Sequence, residues 1–162
     1  MKATQDNQGR FIIEGPATAQ ELMELAANYY QKKLGSTPIT CSREAVDFFR
    51  TKIGHLEHEI FAVLFLDQRH RVIAYKELFR GTLNAAAVYP REIVKEALKH
   101  NAAAILMAHN HPSGITTASE ADIQVTRRII DAAGLLEIRV LDHLIVSVSE
   151  ERYESLSEKG LM

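Results

Sequence analysis

The chain has 162 residues, 46% of them apolar and 25% charged, a single cysteine (Cys41) and a formal net charge of −2, values that suit one ordinary globular domain with a sizeable core. The lone cysteine excludes an intrachain disulfide, and no apolar run resembles a signal peptide or approaches the ~18 residues of a membrane span, so a cytoplasmic protein without membrane association is expected. The slightly acidic balance argues against tight nucleic-acid binding, whose affinity comes from Lys and Arg neutralising phosphates.

Residues 1–16 are polar and punctuated by Gly9, Gly15 and Pro16, and read as a flexible N-terminal tail in which Phe11-Ile12-Ile13 offers one short strand. A helical segment follows over 17–54. Thr18 caps a helix predicted over 19–34, with Leu22, Leu25, Ala26 and Tyr29 at i, i+3, i+4, i+7 spacing and Gly35 as its stop. Residues 36–40 form a linker. Ser42 starts a second helix through Ala45, Phe48, Phe49 and Ile53, closed by Gly54.

The remainder, 55–162, alternates strands and helices. The unbroken apolar run 60–66 predicts a strand buried on both faces, 67–70 a hairpin turn, and 72–79 the return strand. Pro90 suits the first turn of a helix over 90–100. A third buried strand over 103–108 delivers His109 at its C-terminal end. A long helix spans 119–133 before Gly134, one or two strands fill 138–148, and a helical turn is expected near Tyr153. This order predicts an α/β fold with a curved, mostly antiparallel sheet sandwiched by helices.

The chemistry concentrates in His109-Asn110-His111-Pro112-Ser113-Gly114, followed by Ser119 and Asp122. Residues i and i+2 of an extended backbone share a side, so His109 and His111 present two imidazoles together. Asp122 can supply a third ligand. Two nitrogens and one carboxylate suit a hydrolytic Zn²⁺ with an open fourth position, one ion per chain. Asp122 has a structural competitor, because Ser119-Glu120-Ala121-Asp122 also fits a helix capping box. Asp122 shares a helical stripe with Val125, Ile129 and Ala133, so it should point inward, where a carboxylate needs a partner.

The spacing His109-x-His111-x7-Ser119-x2-Asp122 resembles the metal motif of the JAB/MPN (JAMM) metalloprotease superfamily. Phe79-Arg80-Gly81-Thr82-Leu83, Val88-Tyr89-Pro90-Arg91-Glu92, Asn101-Ala102-Ala103-Ala104 and Leu141-Asp142-His143-Leu144-Ile145-Val146 further resemble the bacterial RadC family, and the likeness runs from about Ala19 to Ser147. It implies the JAB/MPN (cytidine-deaminase-like) architecture, with 55–162 as the zinc-hydrolase domain. Full-length RadC proteins carry an N-terminal helix-hairpin-helix region for which the residues before Ala17 are too few, so the chain resembles the short RadC-like proteins.

The resemblance also implies roles. Ser119 would donate a hydrogen bond to a developing oxyanion; the competing reading is a plain N-cap serine. The superfamily's general base is a glutamate at the start of the strand beside the metal. Glu59, just before the 60–66 strand, fits best, with Glu57 and Glu77 as alternatives. His143 reads as a core or supporting histidine bonded to a carboxylate rather than a ligand. His55, His58, His70 and His100 read as loop or surface residues, and Cys41 has no thiolate partner. The implied activity is hydrolysis of peptide or isopeptide bonds in a peptide or protein substrate. Weaker alternatives are metal-dependent processing of DNA, from the family's DNA-repair label, and a non-catalytic MPN scaffold. The N-terminal tail and first helix offer a surface for a homodimer.

Overall fold

The computed structural model describes residues 2–81, 88–148 and 152–162. Thr82 and Leu83 lie outside them. Among the described residues the chain forms, in order, strands β1 (Lys2–Gln5) and β2 (Phe11–Glu14), helices α1 (Ala19–Ser36) and α2 (Ser42–Phe49), and strands β3 (Ile60–Leu66) and β4 (Val72–Arg80). Helix α3 (Pro90–Lys99), strand β5 (Ala104–Asn110), helix α4 (Glu120–Gly134), and strands β6 (Arg139–Val146) and β7 (Glu154–Ser155) complete it.

The main sheet has the order β4-β3-β5-β6-β7. All its neighbours are antiparallel except β5 and β6, which α4 joins as a parallel crossover. Side-chain alternation then divides the core into two layers. Ile60, Ala62, Leu64 and Leu66 of β3, with Leu106 and Ala108 of β5, pack on Val46, Phe48 and Phe49 of α2 and Leu34 of α1. Phe61, Val63 and Phe65, with Ile105 and Met107, pack on Ile93 and Ala97 of α3 and Val125, Ile129 and Ala133 of α4. Every residue of β3 and β5 is buried, so each large side chain there contributes about 1.5–3 kcal/mol by leaving water. Parity along β5 therefore decides which layer a residue serves. His109 shares the α3–α4 layer with Ile105 and Met107; Asn110 faces the α1–α2 layer.

The structure departs from the sequence expectation in several places. The residues expected as a tail carry the β1–β2 hairpin: Asp6 accepts the amides of Gln8 and Arg10 around a turn at Gly9 (φ 81°), and the Phe11 ring meets Tyr29 of α1 edge-on. Gly35 does not end α1. The helix runs on to Ser36 and stops where Thr37, extended before Pro38, caps the Lys33 carbonyl with its hydroxyl. The turn expected near Tyr153 is instead β7, paired with β6 through Leu144↔Ser155 and Ile145↔Glu154, with turns only after it. The helix begun by α2 continues to Gly54, but as a π-helical turn over Arg50–Gly54.

Candidate metal centre

The site forms where β5 ends and α4 begins. Strand geometry projects His109 and His111 to one side, and the intervening loop turns at Gly114, whose amide donates to the His111 carbonyl and whose φ of 81° favours glycine. Ser119 then caps α4 and Asp122 stands in the first helical turn. Among the described residues, His109, His111 and Asp122 form a group whose ligand atoms all lie within 4.8 Å of one another, close enough to hold one metal ion. His109 Nε2 is 2.9 Å from His111 Nε2 and 3.3 Å from Asp122 Oδ1, and His111 Nε2 is 3.8 Å from Asp122 Oδ2. His109 and Asp122 are buried, and His111 opens to solvent.

Both readings of Asp122 hold together. Its Oδ2 accepts the Ser119 amide (2.7 Å) and hydroxyl (2.6 Å), and the Ser119 oxygen in turn accepts the Asp122 amide (3.2 Å), a complete capping box. Its Oδ1 is left facing the imidazoles. The Ser119 hydroxyl proton is thus held by Asp122.

The imidazoles are oriented by what lies behind them. His111 Nδ1 is 2.6 Å from the Ile115 carbonyl, which can only accept, so Nδ1 carries a proton and Nε2 is the nitrogen turned to the site. His109 Nδ1 is 2.8 Å from His143 Nε2. Burial, with the neighbouring His111 a lesser cause, pushes the His109 pKa down to about 3, so the ring is neutral at pH 7. Burial likewise holds His143 well below its ordinary value, against the opposing pull of Asp122. Phe61 fixes both rings, stacked 6.4 Å from His109 and edge-on at 5.2 Å to His143.

Glu59 sits partly buried just before β3, and its carbonyl accepts the Gly81 amide just past the end of β4 (3.0 Å), where Gly81 adopts a φ of 121°. Carrying the β3–β5 register two residues beyond Phe61↔His109 brings Glu59 level with His111. Glu57, His58, Glu59, Gly81 and Pro112, the residue after His111, line a cleft of about 290 Å³. Glu77 is not part of this group. It pairs with Ala62, accepts the Tyr75 hydroxyl (2.9 Å) and lines a cavity with residues of α1, on the opposite face of the sheet from His109, because the bulge in β4 shifts its parity.

Four contributors were not legible as such. Asn110, fully buried, accepts the Ile60 amide (2.7 Å) and donates to the carbonyls of Leu56 (3.2 Å) and His58 (3.0 Å), tying the segment that carries Glu57 and Glu59 to the histidine strand. Its place between two same-sided histidines was the available signal. Thr126 stands behind His143. Asp142 accepts the His143 amide and the hydroxyls of Ser42 and Ser155. Glu154 accepts the Ala118 amide (2.9 Å) and pairs with Lys159 (2.6 Å), holding the loop just before Ser119. The His143 ring meets a ring nitrogen and a hydroxyl, not the carboxylate expected. His55 is exposed, and His58, His70 and His100 are partly so. Cys41 is exposed and free. Arg91 lies beside Glu92 and over the Tyr89 ring. No helix among the described residues is long and apolar enough to cross a membrane.

The sequence profile described as the RadC-like JAB domain matches residues 39–161. A UPF0758 protein of Marinobacter nauticus is 50% identical over 147 residues, 90% of this chain and 65% of its own length. One from Cellvibrio japonicus is 49% identical over 87% of this chain and 62% of its own length, so the chain spans less than two thirds of these two relatives. A UPF0758 protein of Vibrio cholerae is 46% identical, with 93% of this chain and 94% of its own length covered. With the His-His-Asp group at the junction of β5 and α4 and this match over most of its length, the chain belongs to the RadC-like JAB domain family.

Proposed function

We propose that this protein is a zinc-dependent hydrolase of peptide or isopeptide bonds, with His109, His111 and Asp122 as the metal ligands. The observation that carries the reading is the donor set. Two imidazole nitrogens and a carboxylate oxygen converge within 4.8 Å of one another, a cluster of electron-pair donors that one cation at its centre would satisfy together. Two nitrogens and one oxygen, with no thiolate and an open side toward the cleft at Glu59, fit catalytic zinc better than a closed structural site.

Bound zinc would supply Lewis acidity, bringing the pKa of water toward ~7 and polarising the scissile carbonyl. The protein's own groups do the rest. Glu59, beside the cleft, takes the proton from the attacking water and returns it to the leaving amine. Ser119 turns its hydroxyl from Asp122 to the carbonyl oxygen as negative charge develops there, and Asp122 keeps the Ser119 amide as it does so. The substrate is a peptide or protein segment laid in the cleft lined by Glu57, Glu59, Gly81 and Pro112.

The test is elemental analysis of the purified chain beside His111→Ala, followed by a peptide and isopeptide hydrolysis screen with Glu59→Gln as control. About one zinc per wild-type chain, lost in His111→Ala, with hydrolysis abolished in Glu59→Gln while zinc is retained, is the expected result. A wild type that neither contains zinc nor takes it up overturns the reading.

A further inference from the structure

Two fully buried polar side chains, Thr126 on α4 and His143 on β6, have no part in the chemistry above. They form a single file behind His109. Thr126 Oγ1 lies 2.6 Å from the Asp122 backbone carbonyl and 2.5 Å from His143 Nδ1, and His143 Nε2 lies 2.8 Å from His109 Nδ1. The direction of every proton in the file follows from its far end. A carbonyl can only accept, so the one hydroxyl proton of Thr126 goes to Asp122 O. The Thr126 oxygen can then only accept from His143, which places the His143 proton on Nδ1. His143 Nε2 is left as a lone pair, so the proton between the two rings must come from His109 Nδ1. His109 Nε2 is bare, on the side facing His111 and Asp122.

We infer that Thr126 and His143 are positioning residues that lock His109 in the tautomer whose Nε2 is free to bind the metal. The inference rests on the metal-site reading of His109. A helical threonine often bonds back to the carbonyl four residues earlier without further consequence. What distinguishes Thr126 is that its lone pair is committed to a buried ring that in turn contacts a candidate ligand. The carbonyl at the end of the file belongs to Asp122, so backbone and side chain of one residue serve the site from both sides. Without the hydroxyl, the His143 Nδ1 proton would be buried unpaired. The ring escapes that cost by moving its proton to Nε2, which forces the His109 proton onto Nε2 and covers the ligand atom.

The test uses the full chain with ¹⁵N-labelled histidine. In metal-free wild type, the nitrogen shifts of His109 are expected to report the Nδ1–H form, and Thr126→Val is expected to move His109 toward the Nε2–H form. Zinc affinity, measured by competition with a chromogenic chelator, should fall roughly 10–100-fold in Thr126→Val and return in Thr126→Ser. His143→Gln presents an amide oxygen to His109 whatever Thr126 does, so adding Thr126→Val to it should change zinc affinity little. A wild-type His109 protonated on Nε2, or a folded Thr126→Val with wild-type affinity, overturns the inference. Should Thr126→Val fail to fold, the wild-type tautomer decides alone. A wild type that binds no zinc counts against the metal reading, whereas the tautomer of the metal-free protein tests the lock separately.

Discussion

Asn110 stands between two histidines, yet its side chain belongs to the other layer. It accepts one backbone amide and donates to two backbone carbonyls of the segment before β3. Replacing it with alanine leaves the buried Ile60 amide unpaired and frees the segment bearing Glu59. Because each buried group left unpaired costs roughly 1–3 kcal/mol, Asn110→Ala should lower stability by about 2–4 kcal/mol in urea unfolding of the metal-free protein. Ser119 separates two roles by measurement. Its capping bonds predict a loss of about 1 kcal/mol in Ser119→Ala. That loss is far too small to abolish folding, so if the proposed zinc-dependent hydrolysis holds, a fall in kcat in the folded variant would belong to oxyanion binding. Equal kcat in the two proteins would confine Ser119 to the cap.

Most elements were legible in the sequence because their signals are local. The run Ile60–Leu66 is bounded by polar residues and is β3 to the residue; Pro90 opens α3; Ser119 caps α4. The clustering of His109, His111 and Asp122 was legible for the same reason, since strand parity and a capping box are short-range patterns. What was not legible depends on partners distant in sequence. β7 has only two residues and exists because β6 offers an edge and Asp142 collects the Ser155 hydroxyl and the Ser157 amide. The partners of the His143 ring lie on α4 and β5, which no pattern around Leu141-Asp142-His143 reveals. Glu77 was a candidate until the β4 bulge turned it to the far face. Asp142 shows what such distant contacts are worth to the elements. It joins β6, β7 and, through Ser42, the start of α2. Asp142→Ala should cost about 3 kcal/mol or more and expose Glu154 and Ser155 to hydrogen exchange, with Asp142→Asn losing less than half as much because its amide oxygen still accepts.

At the scale of the molecule, the site is a clamp between elements that the core already holds together. His109 lies near the end of β5, His111 just after it and Asp122 in the first turn of α4, Glu59 immediately precedes β3, and the loop between β5 and α4 is held by Glu154. Ligand binding to the native state alone should therefore raise global stability, not merely local order. Zinc at 100 times its Kd adds about 2.7 kcal/mol. For a chain of this size that is a rise in Tm of roughly 5–10 °C, reversed by a chelator. Differential scanning calorimetry of wild type and His111→Ala checks this, and the variant should melt at the same temperature with and without zinc.

The alternation along β5 has a consequence for how this family can change. With a side-chain period of two, deleting or inserting one residue between Ala104 and Ala108 would turn both imidazoles into the α1–α2 layer and bring a neighbouring residue toward Asp122. Such a lesion would disarm the site while leaving every ligand residue in the gene. Substitutions in this strand are thus graded in effect, but its length is all-or-none, and gaps in an alignment of relatives should be absent there even where identities drift.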